Sequence, residues 1–150
     1  MIAVDTNILI YAHRTESPFH SVAKPLIEEL AGSGLTWAIP WPCVHEFLGI
    51  MTNSRIYKPS ISLEEALARI DDLKFCPTLH FLGETDSYWN LFKETSKKSK
   101  MVGPQIHDVR VAAICLANHV KVLWSADRDF TRIDGLKVIN PLIKKDVFSS

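Results

Sequence analysis

Ile2-Ala3-Val4-Asp5-Thr6-Asn7-Ile8-Leu9 joins a short apolar run to a carboxylate and then to a second apolar stretch. The first run lacks the polar alternation of a half-exposed strand, so it reads as a strand buried on both faces, the habit of a parallel sheet. Asp5 follows at the position where an acidic side chain caps a helix over Thr6 to Ala12. Outward from this unit, apolar runs recur at residues 36–39, 78–82, 120–124 and 136–139, and most are separated by segments of helical periodicity.

Those segments are individually legible. Phe19, Val22, Ala23, Leu26, Ile27 and Leu30 form one apolar stripe that Gly32 and Gly34 bring to a stop. A second helix starts near Pro42, carries Val44, Phe47, Leu48 and Met51, and fades before Lys58-Pro59. Ser62 and Glu65 have capping-box spacing ahead of Leu63, Ala66, Leu67, Ile70 and Leu73. Residues 85–95 read as a helix with Tyr88, Trp89, Leu91 and Phe92, followed by a basic, turn-rich stretch over residues 97–104. Asp108 then opens a helix of small residues, Val109, Ala112, Ala113, Leu116 and Ala117. The alternation predicts an α/β fold: one domain over residues 1–150, with a mainly parallel five-stranded sheet and helices on both faces.

Composition bounds the function. A chain of 150 residues with 47% apolar and 23% charged content buries an adequate core as one domain, which excludes intrinsic disorder. Seventeen basic residues against seventeen acidic ones leave no polycationic surface, so any nucleic-acid contact has to be local. The three cysteines, Cys43, Cys76 and Cys115, include no CxxC pair and read as buried thiols in a reducing compartment. No secretory leader pattern and no apolar stretch of ~20 residues is seen, so a soluble cytoplasmic protein is expected, with no membrane partner.

In open parallel sheets the working residues sit just past the carboxyl ends of the strands. Asp5 follows the first run, Asp127 and Asp129 follow the fourth, Asp108 opens the helix before it, and Glu46 lies in the helix after the second. Each has a structural alternative: Asp5 and Asp108 as favourable anions at helix starts, Asp127-Arg128-Asp129 as a polar turn, Glu46 as a solvated side chain. Together they repel, since two carboxylates ~4 Å apart cost about 4 kcal/mol at an effective dielectric near 20. An all-oxygen acidic cluster suits a hard divalent cation, Mg²⁺ or Mn²⁺, and the chemistry such an ion serves here is phosphodiester hydrolysis.

Val4-Asp5-Thr6-Asn7-Ile8-Leu9, Glu46, Ile106-His107-Asp108 with Ala112-Ala113, Ser125-Ala126-Asp127-Arg128-Asp129-Phe130 and Gly135-Leu136 through Asn140-Pro141 resemble the PIN-domain ribonucleases. More narrowly they look like the VapC toxins of bacterial toxin–antitoxin pairs. The resemblance implies an endoribonuclease with Asp5, Glu46, Asp108 and Asp127 as its acidic metal-binding quartet. Asp129 matches a further acidic position of varying role, and Asn7 and Ser125 match polar residues that support the site. Ser125 stands where Thr is commoner and keeps the hydroxyl; Val109 replaces the usual Ala. The resemblance further implies an RNA substrate, a cognate antitoxin and a homodimer.

Lys97, Lys98 and Lys100, with Arg110 and Arg128, are candidates to guide a phosphate backbone; Lys100, Arg110 and Arg128 are the nearest to the acidic positions in sequence. His45-Glu46-Phe47-Leu48-Gly49 lacks the second histidine of a zinc-protease HExxH. The tryptophans read as core or interface more readily than as base-stacking groups. Two other functions stay open: an RNA-binding or regulatory PIN domain without turnover, and a phosphoaspartyl phosphatase or receiver-like domain using Asp5. Asn7, where the phosphatase form would carry a second Asp, weighs against the latter.

Overall fold

The structure, a computed structural model, describes residues 1–148. Strands β1 (Ile2–Val4), β2 (Trp37–Pro40), β3 (Leu79–Leu82), β4 (Val122–Trp124) and β5 (Lys137–Ile139) alternate with helices in the α/β manner expected. The helices are α1 (Thr6–His13), α2 (His20–Gly32), α3 (Trp41–Met51), α4 (Leu63–Lys74), α5 (Tyr88–Ser99) and α6 (Ile106–Ala117), with short 3₁₀ turns at Gly103–Gln105 and Arg128–Arg132.

All strand pairings are parallel, in the spatial order β3-β2-β1-β4-β5. The chain therefore builds outward from β1 through β2 to β3, then returns to lay β4 on the other side of β1. Right-handed crossovers running in opposite directions place α1 to α4 on one face and α5 and α6 on the other. Consistent with this, α1 packs on α2 and α3, and α5 packs on α6. The reversal lies between β1 and β4, where Val4 pairs with Trp124, and a crevice opens there beyond the carboxyl ends of both strands.

The core explains why these segments hold their places. Ala3, Val4, Trp37, Ala38, Ile39, Leu123 and Trp124 on the central strands are fully buried, as are Ile8, Leu9 and Phe47 on the helices of one face. On the other, Val109, Ala112, Ala113 and Cys115 give α6 a thin buried side that lets its backbone approach the sheet closely. Ser62 caps α4 by accepting from the Glu65 amide at 3.1 Å, half of the expected capping box; the Glu65 carboxylate turns instead to Arg69 at 3.2 Å.

Two helices differ from their expected bounds: α6 starts at Ile106, two residues before Asp108, and α5 is shifted further. The helix assigned to residues 85–95 begins at Tyr88 and runs on to Ser99. Thr85 Oγ1 lies 3.0 Å from Ser87 Oγ, and the Tyr88 amide donates to the Thr85 carbonyl, so residues 85–87 form a turn ahead of the helix. Lys97 and Lys98 are thereby in the last helical turn, where cations favour the dipole, and Lys98 pairs with Glu94 at 2.8 Å. Only from Lys100, in the left-handed region at φ 57°, does the chain turn away.

Candidate active site

Asp5 leaves β1 and begins α1. Its Oδ1 accepts from the Thr6 amide at 2.8 Å, so it caps the helix as the structural reading has it. The same carboxylate also faces the crevice, and its Oδ2 accepts from Ser125 Oγ at 2.7 Å and from Asn7 Nδ2 at 3.3 Å. The Cys43 thiol approaches Oδ1 at 3.5 Å. Asp5 is 7% exposed, and burial raises its carboxyl above the usual range even though the Ser125 and Thr6 hydrogen bonds pull the other way.

Asn7 and Ser125 bind β1 to β4 at the mouth of the crevice. Asn7 Nδ2 donates to Ser125 Oγ at 3.3 Å, and Asn7 Oδ1 accepts from the Ala126 amide at 3.2 Å. Ser125 Oγ also accepts from the Asp127 amide at 3.0 Å. Asp127 in turn caps the turn at Arg128–Arg132, accepting from the Asp129 amide at 2.9 Å. That turn folds the chain back so that both carboxylates reach the same space, and Gln105 Nε2 meets Asp129 Oδ2 at 3.4 Å.

Asp108, in the first turn of α6, completes the group: one carboxylate oxygen from each of Asp108, Asp127 and Asp129 lies within 4.8 Å of the others. Asp129, a supporting position in the sequence reading, thus stands in the tightest acidic set. Asp5 and Glu46 lie outside that set but line the same cavity of about 200 Å³, together with Asn7, Asp108 and Asp127. Burial first, then Asp127, Asp5, Asp129 and Glu46 in that order, push the Asp108 carboxyl up to about 7. Glu46 is exposed overall, yet desolvation of its carboxyl in the cleft and the Asp5 carboxylate raise it above its ordinary value. The four quartet positions and Asp129 therefore converge on one cleft, and their mutual repulsion has no cation among the hydrogen-bond partners described to relieve it.

A second cavity, of about 420 Å³, adjoins the first and shares Glu46, Asp108 and Val111 with it. Its other walls are Pro42, His45, Pro104, His107 and Arg110. Arg110 is held at its rim by Glu84 at 3.0 Å. Arg128 is exposed between Asp127 and Asp129, whereas Lys100 is exposed at the end of α5 and lines neither cavity. Trp37 and Trp124 are core residues, and Trp41 stacks on Phe81 at 4.7 Å. Thr6, Tyr11, Cys43, Tyr57 and Gln105 approach the acidic residues without having been singled out as site residues in the sequence. Thr6 carried a signal in its adjacency to Asp5, and Tyr11 lies further along the same helix; Cys43, Tyr57 and Gln105 arrive from distant segments.

The sequence pattern of the PIN domain matches residues 2–136, which takes in every one of these acidic positions. The chain belongs to the PIN domain family. Within the family it is 31% identical to ribonuclease VapC43 of Mycobacterium tuberculosis over 142 residues, covering 95% of this chain and 96% of that protein. Two solved structures share the fold. Mycobacterium tuberculosis VapC20, described as a sarcin-ricin loop cleaving toxin, matches at 14% identity with a TM-score of 0.64, over 87% of this chain and 93% of its own. A toxin–antitoxin complex from Klebsiella pneumoniae matches at 17% identity with a TM-score of 0.60, over 94% of this chain and 98% of its own. The PIN assignment agrees with the single parallel sheet and with its switch point between β1 and β4.

Proposed function

We propose that this PIN domain is an endoribonuclease that depends on a divalent cation, Mg²⁺ or Mn²⁺, and hydrolyses RNA phosphodiesters as the toxin of a toxin–antitoxin pair. The observation that carries the reading is the convergence of Asp108, Asp127 and Asp129 within 4.8 Å beside buried Asp5. An oxygen-only donor set of mutually repelling carboxylates suits a hard divalent ion. A relative named a ribonuclease, a fold neighbour described as a cleaving toxin and another as a toxin–antitoxin complex agree with it.

In this reading Asp5, Glu46, Asp108 and Asp127 are the catalytic and metal-holding carboxylates, with Asp129 adding a further oxygen. A bound ion supplies Lewis-acid polarisation of the phosphate and a water acidic enough to attack near neutral pH. Ser125 and Asn7 keep the Asp5 carboxylate aimed into the cleft and fix its distance from Asp127. Glu46, at the junction of the two cavities with its carboxyl held above its ordinary value by desolvation and the Asp5 carboxylate, is placed to take the proton of the attacking water. Arg110, His45 and His107 give the adjoining cavity a basic side for the RNA backbone, and exposed Arg128 lies on the approach. Burial of Asp5 under four donors argues against its use as a phosphoryl acceptor.

The same reading includes a cognate antitoxin, a homodimer and action in the cytoplasm. Among the described residues no helix is long and apolar enough to cross a membrane. Incubating purified protein with RNA in EDTA, and then with Mn²⁺ restored, tests the chemistry; cleavage is expected only with the metal and is expected to vanish in Asp127→Asn. Expression with and without a neighbouring antitoxin gene tests the biology. Equal growth arrest by wild type and Asp108→Asn would remove the catalytic explanation.

A further inference from the structure

The acidic cavity has a second wall that the metal chemistry does not use. Besides the carboxylates it is lined by Ile10, Tyr11, Ile50 and Tyr57. Both tyrosines are half-buried, and among the described residues neither phenol hydroxyl has a hydrogen-bond partner in the protein. Tyr57 is braced by a cation that does not line the cavity: the Arg14 guanidinium lies 3.8 Å from its ring centroid. Arg14 is itself buried and fixed by Glu16 at 3.4 Å and by the Pro59 carbonyl at 3.3 Å. Tyr11 packs against Phe19 with ring centroids 5.0 Å apart. One face of the Tyr57 ring is thus committed to a cation, and the remainder is what it offers to the cavity.

We propose that Tyr57, with Tyr11 beside it, forms a subsite for one unstacked nucleobase next to the phosphate that meets the carboxylates. This deepens the nuclease reading and rests on it for the identity of the substrate. Single-stranded RNA is read by splaying bases onto aromatic side chains, and an aromatic ring already locked by its neighbours loses little freedom on binding. At about 200 Å³ the cavity lies below the ~300–1,000 Å³ of pockets for drug-sized ligands, so it admits a single base and leaves the rest of the strand outside. The two cavities then give the strand a direction, with a base on the tyrosine side and the onward backbone on the His45, His107 and Arg110 side. The free hydroxyls of Tyr11 and Tyr57 are donors and acceptors for a base edge, a means of preferring one base over another.

The test compares wild type, Tyr57→Ala, Tyr57→Leu and Tyr57→Phe on a pool of short single-stranded RNAs with Mn²⁺, reading kcat, KM and the nucleotide at each cut. Alanine and leucine variants are expected to raise KM roughly tenfold, within the range found for one base–aromatic stack, and to flatten the base preference at one position beside the cut. Tyr57→Phe is expected to keep most of the affinity. A calorimetric Mn²⁺ titration should be unchanged in all three, which separates a lost stack from a collapsed metal site. Unaltered KM and base preference in folded Tyr57→Ala overturns the subsite, as does a loss that tracks Mn²⁺ affinity alone. A second arm needs no turnover: binding of an RNA oligonucleotide with one abasic position to Asp108→Asn, with and without Tyr57→Ala. If wild type fails to cleave yet Tyr57→Ala abolishes the discrimination against the abasic strand, the nuclease reading falls and the subsite stands. If neither protein distinguishes the abasic strand, the subsite falls whatever the cleavage result.

Discussion

Ser125 Oγ donates to Asp5 Oδ2 at 2.7 Å across 120 residues of sequence, and through this contact the ends of β1 and β4 hold their carboxylates in register. The same oxygen accepts from the Asp127 amide and from Asn7, so one hydroxyl links Asp5, Asn7 and Asp127. Ser125→Ala removes all of these bonds at once in a buried place. A loss of about 1–3 kcal/mol in urea unfolding is expected, the cost of losing a hydrogen bond to a buried carboxylate and leaving the Asp127 amide without its acceptor. Ser125→Thr keeps the hydroxyl and should retain most of the cleavage activity. An alanine variant as stable and as active as wild type would show that the contact holds nothing.

Asp108→Asn is expected to have the opposite effect on stability. It removes one charge from a set of three within 4.8 Å of one another, so the metal-free protein should gain on the order of 1 kcal/mol, the Coulomb energy of one pair at ~4 Å in water-like surroundings. The same change should abolish Mn²⁺ binding measured by calorimetry. A destabilised variant that still binds the ion would contradict the role given to this side chain.

Stability of the metal-free protein should depend on pH with a definite sign. Asp108 is pushed up to about 7 in the folded chain, against 3.8 for an ordinary aspartate, and Asp5 and Glu46 are shifted the same way. Between about pH 4 and 7 the folded state therefore holds protons that the unfolded chain has released, so stability is greatest at the acid end and falls as pH rises through that window. Urea midpoints in EDTA should decline from pH 5 to pH 7.5. Excess Mn²⁺ should reverse the trend, because binding needs the deprotonated carboxylates. Midpoints that rise in EDTA over the same range would contradict the assignment.

Arg110→Ala probes the basic side of the adjoining cavity. Its pair with Glu84 is exposed, so the stability change should stay within about 1 kcal/mol. RNA binding should weaken at low salt, and the slope of log affinity against log salt should become shallower by about 0.7, one phosphate contact on a single strand. An unchanged slope would place the backbone path elsewhere.

Ser62→Ala serves as a control at a residue that lines neither cavity. Losing the bond to the Glu65 amide should cost about 0.5–2 kcal/mol. Cleavage per folded molecule, measured well below the melting temperature, should not change. A fall in kcat would mean that α4 communicates with the site.

The sequence-legible parts are those written in local chemistry. Asp5 was readable both as cap and as site residue because strand, carboxylate and helix are contiguous. The Ser62 cap was readable for the same reason, although the partner of Glu65 was not, since Arg69 competes for it one turn on. The bounds of α5 differ from those the sequence suggests because lysine-rich residues 97–99 look turn-like beside Gly103 and Pro104, while the helix propensity of the lysines and the Glu94–Lys98 pair carry the helix further.

By itself the chain determined the succession of buried strands and amphipathic helices, and with it the parallel sheet, because periodicity and caps act over a few residues. It also put acids at the strand ends. Tertiary structure alone decided that Asp129 joins Asp108 and Asp127, that Gln105 meets Asp129, and that Arg14 braces Tyr57 against the cavity. Those relations depend on the return of the chain to the far side of β1 and on turns whose angles set where side chains meet, and no local pattern encodes such distances.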